Sequence, residues 1–407
     1  MTDSEQKDIP KVTNVSRGIL RRGMIIVGVL VLFLLSIDMM STSFKLLGKD
    51  TAQDILTVAS NPFIGLFIGL LITAIIQSSS TSTALMVTAV ASGSLTVESA
   101  IPMVLGANIG TTLTSTIVAL GYLTRKKEFR KAISAAFLHD VFNILVVVIL
   151  FPLEYYYGVL SHYSGRLVEV LSLGGDGDAT GFNFRLWDIL PMGDFITWTH
   201  VPPFIFLLLS FVFLMLTIKY VSQALSGLLI GDSRDRMRHY LFLRPGRSFF
   251  WGTLFTAGIQ SSSITTSLIV PFVATGKVAL KNAFPFLMGA NLGTTITAFI
   301  AASFQSEAAI SLAVAHLLIN LFGVILFFLP YLKELPIYLA NQFGRLASKY
   351  RLTVFVYITF TFFLVPFSLI KLHESQADPV EELPSPAVAV DTVSAAPVDS
   401  LVVDSVE

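Results

Sequence analysis

The tetrapeptide Gln-Ser-Ser-Ser occurs twice, at Gln77 to Ser80 and at Gln260 to Ser263, each time in the middle of a long apolar stretch. Polar side chains are costly in hydrocarbon unless they bind something or each other. Two identical polar islands, 183 positions apart, therefore demand a fold that gives them partners in the interior of an apolar body.

That body is a membrane protein. With 54% hydrophobic residues, 13% charged residues and a mean hydropathy of +0.74, the 407-residue chain has more apolar surface than a soluble fold of this size buries. The 27 basic and 27 acidic residues balance, so no basic excess points to nucleic acid. Cysteine is absent, which removes disulfides, thiolate metal sites and cysteine nucleophiles. The first apolar run follows Arg17, Arg21 and Arg22 as in a signal sequence, but no small-residue cleavage pattern follows, so it reads as a retained helix.

Apolar segments lie at about 23–44, 62–92, 99–120, 132–152, 202–222, 249–275, 283–303, 309–331 and 352–371. Most suit one helix of roughly 20 residues across the bilayer. Segments 62–92 and 249–275 are longer, and each is interrupted by the tetrapeptide, so each reads as two half-helices meeting at a polar tip, a re-entrant hairpin. With the N-terminus cytoplasmic and both hairpins returning to their own side, twenty-two basic residues fall inside and five outside. Letting the first hairpin cross fully would put the Arg125 to Lys131 cluster outside, against the positive-inside rule.

The hairpins then enter from opposite faces, as in an inverted repeat. A gap-free alignment of 77–120 with 260–303 gives 21 identities in 44 positions, among them Gly106-Ala107-Asn108 with Gly289-Ala290-Asn291. Past a six-residue offset, His139 and Asn143 match His316 and Asn320. The expected fold is an all-α integral membrane protein with inverted-topology repeats, each carrying a re-entrant helical hairpin. Its divisions are a cytoplasmic segment 1–22, a first repeat 23–152 with hairpin 62–92, an external loop 153–198 and a second repeat 199–331 with hairpin 249–275. A cytoplasmic connector with the last helix (332–371) and a disordered acidic tail (372–407) complete the chain.

Each tip begins a half-helix whose first N–H groups have no intrahelical partner and whose dipole favours an anion. The serines add hydroxyl donors for an oxyanion and acceptors for a small hard cation, and Gln77, Gln260, Asn108 and Asn291 add amide oxygens. Between 61 and 120 the only charged side chain is Glu98, and between 249 and 276 there is none. No Arg or Lys in either hairpin neutralises a bound anion, so a divalent anion there needs mobile cations beside it, and oxygen-only ligands suit sodium. Asp140, within the span 132–152, is a candidate cation ligand. His139 and His316 read as packing or hydrogen-bonding residues, and Asp38 receives no role.

The paired Gln-Ser-Ser-Ser motifs, each followed about thirty residues later by Gly-Ala-Asn-x-Gly-Thr-Thr, together with His139-Asp140-x-Phe142-Asn143, resemble the type II sodium-phosphate cotransporter family over roughly residues 23–371. The resemblance implies secondary active uptake of inorganic phosphate coupled to sodium, with no cofactor and no catalysis. It places substrate and sodium at Gln77, Ser78, Ser79, Ser80, Thr81, Asn108, Thr111 and Thr112, and at Gln260, Ser261, Ser262, Ser263, Thr265, Asn291, Thr294 and Thr295. Asp140 and Asn143 would serve sodium and charge coupling; an aspartate directly after the histidine goes with electrogenic transport in that family. The length and the missing cysteines look like a bacterial member of the inner membrane. Animal members have a longer, disulfide-bonded central loop and a further helix after the span matching 352–371, so the acidic tail is expected outside. A homodimer is left open. The rival readings are a sodium-coupled carrier of another small oxyanion or carboxylate, a channel and a membrane-embedded enzyme. The enzyme lacks any His/Glu metal spacing in the spans and any His-Asp partner that sequence places near the serines.

Overall fold

Both tetrapeptides break helices, and they do so by the same residue roles. The computed structural model describes residues 61–171, 195–229 except 197, 242, 244–303 and 305–376, with scattered positions between 28 and 46. Helix α1 (Pro62–Ile76) starts on Asn61, whose side chain accepts the N–H groups of Phe63 and Ile64, with proline at a position that needs no donor. It stops at Gln77, which takes a left-handed conformation (φ 57°, ψ 30°) and returns its N–H to the Thr73 carbonyl. Ser78 is extended and its Oγ accepts the Thr81 N–H, capping α2 (Ser79–Ala91).

The second copy repeats this turn. Helix α8 (Pro245–Ile259) ends at Gln260 (φ 55°, ψ 29°), and Ser261 caps α9 (Ser262–Ala274) through the Ile264 N–H. The tetrapeptide is thus a stop residue, a cap and the first two residues of the next helix.

Helices α3 (Val97–Gly110) and α4 (Leu113–Leu120) follow the first break, and α10 (Leu280–Ala302) follows the second. The expected span 99–120 is one membrane-length segment, Val97–Leu120, with a joint inside it. Thr112 bonds back three residues to the Ile109 carbonyl, which tightens the chain at the joint, whereas its counterpart in α10 stays within one helix. Helix α1 packs on α3 and α8 on α10. A Cβ on Gly106 would strike the Leu66 carbonyl and one on Gly289 the Phe249 carbonyl, so backbone meets backbone in both halves.

Helix α5 (Lys126–Tyr157) runs past the expected end of the first repeat, and α6 (Val159–Val170) follows directly after Gly158 in the left-handed region. Glu154 is why. Its Oε2 accepts the N–H groups of Leu160 and Ser161 and so caps α6 inside the stretch expected to be loop. The rest of that loop from 172 to 194, the segment 1–22 and the tail beyond 376 lie outside the described residues.

The remaining helices are α7 (Pro203–Leu229), α11 (Glu307–Phe328), α12 (Glu334–Lys349), α13 (Leu352–Thr359) and α14 (Val365–Gln376), the last two joined through a π turn at Phe360–Leu364. Among the described residues there is no strand, and five helical segments are long and apolar enough to cross a membrane: Val97–Leu120, Lys126–Tyr157, Leu280–Ala302, Glu307–Phe328 and Leu352–Leu372. Phe142, Phe284 and Phe327, from α5, α10 and α11, meet edge to face at the centre of the apolar core.

Candidate functional site

The two helix breaks touch. Ser79 and Ser262, each the first residue of the helix that follows its break, share a hydrogen bond of 3.2 Å between their hydroxyls, and Ser263 Oγ donates to the Gln77 carbonyl at 2.9 Å. Just behind them Ser115 Oγ on α4 donates to Thr266 Oγ1 on α9 at 3.2 Å. Gln77, Ser78, Thr81 and Thr114 from one half and Ser261, Ser263 and Ser267 from the other line one cavity of ≈ 800 Å³, whose opposite wall includes Val212, Met215 and Leu216 of α7. No charged side chain lines it among the described residues. Ser80, Thr114 and Ser267 keep buried hydroxyls with no hydrogen-bond partner. Two helix N-termini and neutral hydroxyls on one cavity can hold an anion through N–H and O–H donors, and a cation through the hydroxyl lone pairs.

Behind the tips runs a relay between the halves. His139 Nε2–H donates to Asn291 Oδ1 (2.7 Å), Asn291 Nδ2 donates to Asn143 Oδ1 (2.5 Å), and Asn143 Nδ2 donates to the Asn108 carbonyl (2.9 Å). The amide of Asn291 is engaged at both ends, while Asn108 contributes its backbone. Thr111, Thr112, Thr294 and Thr295 each turn their O–H back onto a carbonyl of the preceding turn, as Thr265 does onto Ser261. Apart from Thr112, which also bonds the Asp140 carboxylate, their donors are used locally, so what they offer a ligand is lone pairs.

Asp140 sits apart from that relay though it follows His139. Its Oδ2 accepts the Tyr357 O–H at 3.0 Å and the Thr116 O–H at 3.4 Å, Thr112 also interacts with the carboxylate, and Oδ1 has no hydrogen-bond partner. It is 1% exposed, and no ion pair reaches it among the described residues. His316 is equally buried, and neither of its ring nitrogens has a hydrogen-bond partner among the described residues.

The structure thus brings Gln77, Ser78, Ser261 and Ser263 onto one cavity, Asn291 and Asn143 into the relay, and Asp140 beside Thr112, while Ser79, Ser80, Gln260 and Ser262 are not among the cavity's lining residues. Sequence reasoning missed Ser115, Thr116 and Thr266, ordinary helix hydroxyls without a motif, and Tyr357, whose signal was an aromatic hydroxyl within the last apolar helix.

Residues 32–160 and 213–346 match the Na+/Pi-cotransporter family. The chain belongs to that family. Those two stretches contain both tips, the relay and Asp140; Tyr357 lies beyond them. Among curated Na+/Pi-cotransporter relatives, sodium-dependent phosphate transport protein 2A of Rattus norvegicus is 30% identical over 89% of this chain and 70% of its own length. The 2A protein of Mus musculus is 31% identical over 83% of this chain and 65% of its own length. The 2B protein of Homo sapiens is 28% identical over 86% of this chain and 65% of its own length. The chain therefore spans about two thirds of the length of such relatives, and no solved structure matches it.

Proposed function

We propose that the chain is a sodium-dependent symporter of inorganic phosphate, moving net charge by alternating access. The observation that carries the reading is one cavity lined by residues of both tetrapeptides, with no basic side chain on it among the described residues. An oxyanion held there by N–H dipoles and hydroxyls alone keeps most of its negative charge unneutralised, which makes a co-bound cation part of the binding chemistry. The names of the relatives, sodium-dependent phosphate transport proteins, support phosphate and sodium as that pair.

In this reading phosphate binds at the N-termini of α2 and α9 through Ser78 to Ser80 and Ser261 to Ser263. Sodium uses the hydroxyl and amide oxygens of Gln77, Thr81, Asn108, Thr111, Thr112, Gln260, Thr265, Asn291, Thr294 and Thr295, with Asn143. Asp140 adds the charge of a further sodium ion. The two breaks are the tips of re-entrant hairpins in inverted repeats, a placement supported by their matching turn geometry and by the basic residues, which put their entrances on opposite faces. The N-terminus is cytoplasmic and the tail external in a bacterial inner membrane.

The test is phosphate uptake into vesicles with and without an imposed sodium gradient. Sodium-stimulated uptake that generates current is expected. Uptake indifferent to sodium, or driven equally by protons, would sink the reading, and stronger competition by sulfate than by arsenate would reassign the anion.

A further inference from the structure

We propose that Tyr357, on a helix outside both repeats, is a positioning residue for Asp140: its O–H holds Oδ2 and leaves Oδ1 as the oxygen that meets the coupled cation. The inference rests on the symport reading above and adds to it a residue beyond the stretches that match the family.

Three observations carry it. The first is the division of labour within the carboxylate: Oδ2 takes the Tyr357 O–H at 3.0 Å and the Thr116 O–H at 3.4 Å, Thr112 lies against the carboxylate, and Oδ1, equally buried, has no hydrogen-bond partner among the described residues. An ionised carboxylate accepts hydrogen bonds at both oxygens when donors are available, so its fixed rotation selects one oxygen for a different ligand. The second is that Tyr357 is itself held in place. Its ring lies 5.0 Å from Phe137 of α5 and 5.1 Å from Phe343 of α12, and those two stack at 4.0 Å, so the hydroxyl is presented at a set height on α5, three residues from Phe137. The π turn at Phe360–Leu364 begins three residues later, a widened turn of a kind often found at functional sites.

The third observation is comparative. In the repeat alignment Asp140 corresponds to Leu317 and Thr116 to Phe299. The half that α13 contacts through Tyr357 has the acid and the Thr116 donor; the other half has neither, though it keeps Thr295 at the position of Thr112. A hydroxyl kept only to satisfy itself in hydrocarbon would not require a carboxylate opposite it, and a carboxylate needing only partners would use both oxygens.

The experiment uses the full chain in proteoliposomes, with sodium activation of phosphate uptake and the charge moved per phosphate recorded for wild type, Tyr357→Phe, Asp140→Asn and the double variant. Tyr357→Phe keeps the ring packing and deletes one hydrogen bond to a charged group. The expected result is a half-activating sodium concentration raised roughly tenfold, with the phosphate KM at saturating sodium unchanged. In the Asp140→Asn background the same substitution adds nothing further, since Tyr357 acts through the carboxylate. Phe343→Leu, which loosens the ring and keeps the O–H, gives a smaller shift of the same kind. Thermal unfolding of purified Tyr357→Phe without sodium falls modestly, as the loss of one hydrogen bond to a buried acid requires, and the further rise produced by sodium is smaller than in wild type. Wild-type sodium activation in Tyr357→Phe, or a shift that persists undiminished beside Asp140→Asn, overturns the inference while leaving symport intact. A wild type without sodium-dependent uptake overturns both.

Discussion

His139 and His316 occupy matching places in the two halves, and both are buried to 0% exposure, yet they live differently. His139 donates to Asn291 and begins a relay that ends on the Asn108 carbonyl. His316 bonds through neither ring nitrogen, and Asn320 merely returns its amide to the His316 backbone four residues earlier. The turns at Gln77 and Gln260, by contrast, agree to within two degrees in φ. What the halves share is backbone shape, set by caps and close glycine contacts; what they do not share is the polar chemistry around the histidines, because α5 reaches across to α10 while α11 makes no matching polar bond among the described residues. Two stretches of like sequence give like turns, and one helix of the first, α5, bridges to the second through His139 and Asn143.

Glycine substitution tests the shared part with the largest expected effect. Gly106→Leu and Gly289→Leu should each cost more than about 4 kcal/mol, since backbone stands where the side chain would go, and neither should yield folded protein on size-exclusion chromatography. A half that tolerated leucine would show that its glycine contact is not a shared requirement. Next comes Asn291→Ala, which strands the His139 N–H and Asn143 Oδ1 at about 1–3 kcal/mol each. Asn108→Ala should lower thermal stability far less, because the relay uses only its backbone carbonyl; equal losses would break the asymmetry. His139→Leu strands one acceptor on Asn291 and should cost about 1–3 kcal/mol. The smallest effect has the opposite sign: His316→Leu removes a polar ring that bonds to nothing, so the unfolding temperature should stay level or rise. A clear fall there would reveal a partner for His316 and restore symmetry.

The helix breaks are legible because a cluster of polar residues inside an apolar run must either cap a helix end or line a site, and the structure stops α1 and α8 at the glutamines themselves. The apolar spans are legible from length and hydropathy. Helix α6 is not, since it depends on Glu154, an acid that reads as a loop residue until its oxygen is seen capping Leu160 and Ser161. The joint between α3 and α4 is hidden because Thr111-Thr112 is identical to Thr294-Thr295, which stays within one helix. At the site, the tetrapeptides announce themselves, but their mutual contact and the bond from Tyr357 to Asp140, 217 positions apart, are choices of tertiary packing that leave no local periodicity to read.

The hydrogen bond from Ser263 to the Gln77 carbonyl has a consequence in time. A ribosome that has finished the first tip must add more than 180 residues before Ser262 and Ser263 exist to meet it, and domains assemble from the N-terminus as synthesis proceeds. Until then Ser79 and the Gln77 carbonyl stand without their counterparts in an apolar setting, where an unmatched polar group costs about 1–3 kcal/mol. The first half is therefore a waiting intermediate that its own sequence cannot finish, and the cavity can close only once the second tetrapeptide has been made.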